Sequence, residues 1–176
     1  MKLYNNMKIL ITGGSGFIGT NVVEKLLLMG FNNLINVDIQ QPYNINHLPF
    51  WVNCNILNQK DLQIIFDEYR PTHVLHLAAR TDTSSDLLED YFDNVEGTSS
   101  LLKVLENSEY VKHVVITSTQ YVYKDNDIPF PINDMDFKPH TVYGVSKKIT
   151  EDMTRNSAMN CAWTIVRPTN VWGPWN

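Results

Sequence analysis

Tyr143 and Lys147 stand four residues apart in TVYGVSKKITEDM. On a helix this spacing puts both on one face, with an ammonium beside a phenol. A free phenol loses its proton near pH ~10, and bringing that to about 7 takes about 4 kcal/mol of preferential phenolate stabilisation. A neighbouring cation supplies part of it, so the pair suits proton abstraction. A second group with chemical meaning lies near the start of the chain, where Gly13, Gly16 and Gly19 recur every third residue in ILITGGSGFIG. Glycines at this spacing permit a tight turn, let a pyrophosphate approach the backbone, and let a helix pack close to the preceding strand. Asp38 follows about 20 residues later, the offset at which a carboxylate reaches the ribose hydroxyls of an adenine dinucleotide.

These residues need a scaffold, and the pattern of apolar residues describes one. Lys8 to Thr12 reads as a buried strand, and Phe17, Ile18, Val22, Val23, Leu26 and Leu27 then recur at helical spacing until Gly30 offers a stop. Leu34 to Asp38 is a second strand and Phe50 to Asn53 a third, followed by a helix over Leu57 to Tyr69 with Asn58 as N-cap. THVLHLAA, KHVVITST and AWTIVRP are further strands, separated by helices over Asp90 to Ser108 and Tyr143 to Met159. About six strands alternating with helices, with few polar residues inside the strands, predict a doubly wound parallel sheet in a three-layer α/β Rossmann-type fold. The acidic, proline-containing stretch KDNDIPFPINDMDFKPH reads as a mobile loop over the site.

With strand, turn, helix and Asp38 in this order, the glycines predict a dinucleotide site. A 2′-phosphate beside Asp38 would set like charges in contact, and IQQPY offers no arginine to offset them, so NAD is expected over NADP. The 176 residues are 43% hydrophobic with a net charge of −5, enough for one ordinary core and without the basic runs that binding to nucleic acid requires. Cys54 and Cys161 form no CxxC pair, which fits a reducing, cytoplasmic setting. The apolar run at the N-terminus is too short for a membrane span, so a soluble protein is expected. His73 and His76 flank a buried strand without ligand partners at metal-binding spacing and read as core or cap residues, so no metal is expected.

ITGGSGFIG, HLAA, DNVEGT, VVITSTQYVY, YGVSK and RPTNVWGP occur in one order along nearly the whole chain. In that series the sequence resembles the extended short-chain dehydrogenases/reductases, specifically their NAD-dependent epimerase/dehydratase branch. The resemblance implies a phosphate loop running through Gly13, Gly16, Phe17, Ile18 and Gly19. It implies further cofactor contacts from Asp38, Asn55, Ile56, Leu77, Ala78, Ala79, Asn94, Thr117, Tyr143 and Lys147, and Arg80, at the carboxyl end of a strand, either contacts the cofactor or a substrate phosphate or is a surface residue. Thr117 and Ser118 either line the nicotinamide side or satisfy backbone groups. Thr119 matches the family's Ser/Thr that hydrogen-bonds the reacting oxygen, and with Tyr143 and Lys147 makes the catalytic set. Thr119 and Asn170 are the expected substrate contacts. The implied reaction is oxidation of a sugar hydroxyl by NAD and hydride return, most directly at C4, on a UDP- or dTDP-linked sugar.

Two departures matter. Dehydratases of this kind carry an Asp-Glu pair after the threonine, where this chain has Gln120 and Tyr121, so elimination of water loses its acid and base. Asn55 stands where the family often has an aspartate for the adenine amino group, and an amide oxygen still accepts that bond. Family members continue past NVWGP into a lobe that grips the sugar. The expectation is therefore that residues 1–176 form the NAD-binding Rossmann domain, with that lobe absent and apolar residues near Trp172 and Trp175 left uncovered. Self-association, as in a homodimer, or disorder at the C-terminal end would follow. An NAD-binding module without turnover, and a nucleotide-sugar dehydratase or reductase, are the alternative readings.

Overall fold

The computed structural model describes residues 6–123 and 137–175. Six parallel strands make one sheet: β1 (Ile9–Thr12), β2 (Leu34–Asp38), β3 (Trp51–Asn53), β4 (His73–His76), β5 (His113–Thr117) and β6 (Ala162–Val166), in the order β3-β2-β1-β4-β5-β6. Four helices make the crossovers: α1 (Phe17–Leu28), α2 (Gln59–Tyr69), α3 (Phe92–Glu106) and α4 (Val142–Asn156). The larger core lies where Leu62, Ile65 and Phe66 of α2 and Leu101 and Leu105 of α3 meet Leu10, Val37, Val74, Val114 and Ile116 of the strands. A smaller one joins Val23 of α1 to Ile11 and Leu34. Val115, Thr164 and Val166 alternate with the core residues of β5 and β6 and are not buried.

Local chemistry sets the element ends. α1 stops where predicted: Gly30 takes φ +78°, its N–H bonds to the Leu27 carbonyl at 2.8 Å, and Phe31 N–H bonds to the Leu26 carbonyl at 2.9 Å. This is the glycine-terminated reverse turn that satisfies the last carbonyls of a helix. Asn58 caps α2 by accepting from Asp61 N–H, so that helix starts two residues later than the periodicity suggested. The predicted helix from Asp90 is split: a short 3-10 turn, Leu88–Tyr91, precedes α3. α4 ends at Asn156 rather than Met159, because the Ser157 side chain bonds back to Thr154 and Asn156 to Asp152. β4, β5 and β6 each end before the stretches predicted for them do, and residues beyond them line a cleft. The expected loop over the site falls largely on 124–136, outside the described residues.

Candidate active site

The strand order reverses between β1 and β4, and the two loops leaving their carboxyl ends diverge there. Such a point opens a crevice, the standard place for a ligand on an open parallel sheet. A cleft of about 670 Å³ runs across it. Every site residue expected from the sequence lines this cleft, from Gly13 and Asp38 at one end to Thr119, Tyr143, Lys147 and Asn170 at the other.

The glycine loop is jammed by design of its packing. Gly13 has φ +72°, and a Cβ there would stand 2.6 Å from the Ala78 nitrogen. A Cβ on Gly19 would stand 2.3 Å from the Gly13 carbonyl oxygen, so α1 sits directly on the loop. Gly16 is different: only the Gly13 oxygen, at 3.4 Å, would meet its Cβ. Its missing side chain serves approach from the cleft rather than packing. α1 has no side-chain N-cap, unlike α2 and α4, which leaves its first N–H groups and the positive end of its dipole to a ligand. Phe17 and Ile18 open the helix along the same wall.

Asp38 ends β2 with its carboxylate held from both sides. Oδ2 accepts from Ser15 N–H of the glycine loop at 3.0 Å, and Oδ1 accepts from Gln40 N–H at 2.9 Å. Each oxygen keeps a lone pair for a hydroxyl donor, while a phosphate there meets a negative charge. Asn55 accepts from Leu57 N–H at 3.0 Å beside Ile56. Across the crevice run Leu77, Ala78, Ala79 and Arg80. The Arg80 guanidinium is engaged by Asp82 at 2.7 Å and by the Asp90 carbonyl, and lies over the Tyr91 ring. Arg80 was expected to contact the cofactor or a substrate phosphate, or else to be a surface residue; it lines the cleft with its guanidinium bonded within its own loop. The Asn94 amide is likewise committed, accepting from Arg80 N–H at 2.7 Å and donating to the Arg80 carbonyl and Ser146.

At the other end Thr119 caps the 3-10 turn Gln120–Val122, its Oγ1 accepting from Tyr121 N–H at 3.3 Å. Its hydroxyl also bonds the Tyr143 phenol. Thr117 Oγ1 and Ser118 Oγ are buried in the cleft wall with no hydrogen-bond partner among the described residues. Thr141 caps α4 through Gly144 N–H at 2.9 Å, so Tyr143 and Lys147 occupy its first turns on the buried face. Burial pushes the Tyr143 phenol up to about 12; the Thr119 hydroxyl favours phenolate, and the Tyr121 and Tyr91 phenols oppose it. Burial lowers Lys147 to about 8, against the raising effect of Glu151 one turn on. Spacing alone suggested that the lysine brings the tyrosine towards neutrality; within this cleft desolvation is the largest influence on each group and moves the two values away from their charged forms.

Sequence patterns passed over several positions that the geometry marks. A Cβ on Gly144 would stand 2.2 Å from the Tyr121 carbonyl oxygen, so the catalytic helix and the Thr119 turn meet in backbone contact. The signal was a glycine inside a helix, which costs about 1 kcal/mol and so calls for a reason. Glu151 is fully buried and held by Arg167 through two bonds of 2.8 and 2.6 Å, tying α4 to the end of β6. Tyr121 sets its ring edge-on to Tyr143, with centroids 6.3 Å apart. The uncapped helix, the open glycine and the two orphan hydroxyls fit a dinucleotide lying from Asp38 to Tyr143.

Comparison with known proteins agrees with this geometry. The chain is 31% identical to a putative UDP-glucose 4-epimerase of Methanocaldococcus jannaschii, over 94% of this chain and 56% of that protein. Its fold superposes with a TM-score of 0.80 on the Bordetella bronchiseptica enzyme WbmG solved with NAD and UDP, at 30% identity over 96% of this chain and 55% of that one. UDP-glucose 4-epimerase of Thermotoga maritima, solved with UDP-glucose, gives a TM-score of 0.78 at 30% identity, over 96% of this chain and 57% of that one. The chain thus spans about half the length of the relatives it matches. The sequence model of one family matches residues 9–176, and with the glycine loop, Asp38 and the Thr119, Tyr143 and Lys147 set in one cleft, the chain belongs to the NAD dependent epimerase/dehydratase family.

Proposed function

We propose that this chain supplies the NAD site and the acid–base groups of a nucleotide-sugar epimerase acting at C4, with residues 1–176 as its NAD-binding Rossmann domain. The observation that carries this reading is the single cleft joining the dinucleotide loop to Thr119, Tyr143 and Lys147. The relatives named for UDP-sugars, and the neighbour solved with NAD and UDP, support a UDP-linked sugar. The chemistry that NAD supplies when bound is removal of a hydride from a sugar carbon and its return. Tyr143 takes the proton of the hydroxyl on that carbon, Thr119 donates a hydrogen bond to the same oxygen, and the buried Lys147 ammonium favours the phenolate. With the phenol at about 12, holding it ionised at neutral pH takes about 7 kcal/mol, which must come from charges assembled in the loaded site. Gln120 and Tyr121 disfavour a dehydratase.

A second reading, an NAD-binding module without turnover, is favoured by the Tyr143 phenol at about 12, which keeps its proton at neutral pH. Trp172, 85% exposed, supports association with a second copy, and a cytoplasmic setting belongs to the same reading. No described helix is long and apolar enough to cross a membrane. The test is NAD titration of this chain, then turnover of UDP-glucose by this chain and by one extended to its relatives' length. Tyr143→Phe should lower turnover of the active form by ~10²–10⁴ while NAD affinity holds. Equal turnover in Tyr143→Phe refutes the mechanism, and NAD binding with no turnover in either length leaves the module.

A further inference from the structure

His76, at the end of β4, is buried at 1% exposure and lies behind the cleft wall rather than in it. Its two ring nitrogens contact two buried threonines, Nδ1 to Thr12 Oγ1 at 2.7 Å and Nε2 to Thr98 Oγ1 at 3.1 Å. The direction of every bond is forced. Thr98 spends its single proton on the Asn94 carbonyl at 2.7 Å, so it must accept from His76, and Nε2 carries the hydrogen. Nδ1 is then the acceptor, and Thr12 donates to it. The same Thr12 oxygen accepts from Ala78 N–H at 3.4 Å. On the far side Asn94 clasps Arg80, accepting from its N–H at 2.7 Å and donating to its carbonyl at 3.0 Å. Asn94 also donates to Ser146, whose hydroxyl bonds the Tyr143 carbonyl at 2.7 Å.

We infer that His76 is a positioning residue: through the hydroxyls of Thr12 and Thr98 it braces both ends of the segment 77–80, and so sets how tightly the cleft holds a dinucleotide without touching it. The effect on affinity rests on the proposed NAD site; the bracing does not. The chain of bonds joins β1, β4, α3 and α4, so one imidazole registers the crevice wall against the helix that carries Tyr143. Burial pushes the imidazolium down to about 3, with the Lys147 charge adding to the effect, which keeps the ring neutral and the directions fixed. A cation in its place would have to donate at both nitrogens and would reverse the Thr12 bond.

The experiment uses the isotopically labelled chain at pH 7. Wild type should show His76 as the Nε2–H tautomer by its ring nitrogen shifts. Thr98→Val, which keeps shape but loses the hydroxyl, should speed amide exchange at Ala78 and Arg80 and weaken NAD binding, each by about tenfold. Thr98→Ser should stay within about twofold of wild type. An Nδ1–H tautomer, unchanged exchange in Thr98→Val, or a loss in Thr98→Ser equal to that in Thr98→Val would each overturn the inference, the last by showing that the methyl group alone matters. Where Thr98→Val does not fold, the wild-type tautomer and Thr98→Ser decide. A wild-type chain that binds no NAD removes the dinucleotide reading, while the tautomer and the exchange rates still decide the bracing.

Discussion

Replacing Lys147 with methionine should make the chain more stable. Lys147 is 3% exposed, and burial lowers its ammonium from 10.5 to about 8 even with Glu151 raising it. At about 1.4 kcal/mol per pH unit, keeping that charge in the folded state at pH 7 costs about 3 kcal/mol. Methionine fills nearly the same volume without a charge, and Glu151 keeps its bonds to Arg167. Lys147→Met should therefore gain about 3 kcal/mol at pH 7, or about 6–12 °C in Tm for a domain of this size. The sign with pH follows from the depressed value. Between about 8 and 10.5 the unfolded chain holds the proton and the folded one has lost it, so wild-type stability rises with pH there and the gap closes. At pH 10 less than about 1 kcal/mol should remain. Tyr143, raised to about 12, weakens both proteins alike above pH 10 and leaves the difference untouched. Urea unfolding of both proteins at pH 7, 8.5 and 10 measures the gap. A variant no more stable than wild type at pH 7, or a gap that stays constant to pH 10, refutes the view that a functional charge is being held in the core at a cost.

Three other outcomes are expected. Asp38→Ala removes the repulsion of a 2′-phosphate and one bond to the glycine loop, so it should narrow the preference for NAD over NADP by about tenfold in calorimetric titration; an unchanged ratio would count against Asp38 as the discriminator. Gly19→Ala puts a methyl group 2.3 Å from the Gly13 oxygen, and should cost about 1–3 kcal/mol in unfolding and weaken NAD binding; native values for both would mean that the loop yields freely. His76, neutral when folded with its value lowered to about 3, must take a proton on unfolding below its ordinary 6.5, so stability present above that pH is lost as pH falls. The loss between pH 7 and pH 5 should be about 2 kcal/mol and should shrink in His76→Gln, and an identical acid limb in both proteins would assign it to other groups.

Much of the scaffold was legible because its causes are local or periodic. Buried strands show as apolar runs, Gly30 ends α1 through a positive φ that other residues avoid, and Asn58 and the glycine triplet carry their conformational reasons in their own side chains or lack of them. Tyr143 and Lys147 share a face because a helix repeats every 3.6 residues, and any sequence reading finds that. What spacing does not carry is desolvation and direction. Whether the phenol sits at 7 or 12 depends on how much water α4 loses against its neighbours, and Arg80 is spent on Asp82 because the loop folds back on itself. His76 read as a core residue, and the core is where it lies; its brace exists only because Thr12, 64 residues earlier, and Thr98, 22 later, arrive at its two nitrogens when four elements pack. Hydrogen-bond direction belongs to the assembled set and not to any one residue, which is why the tertiary structure alone decided it.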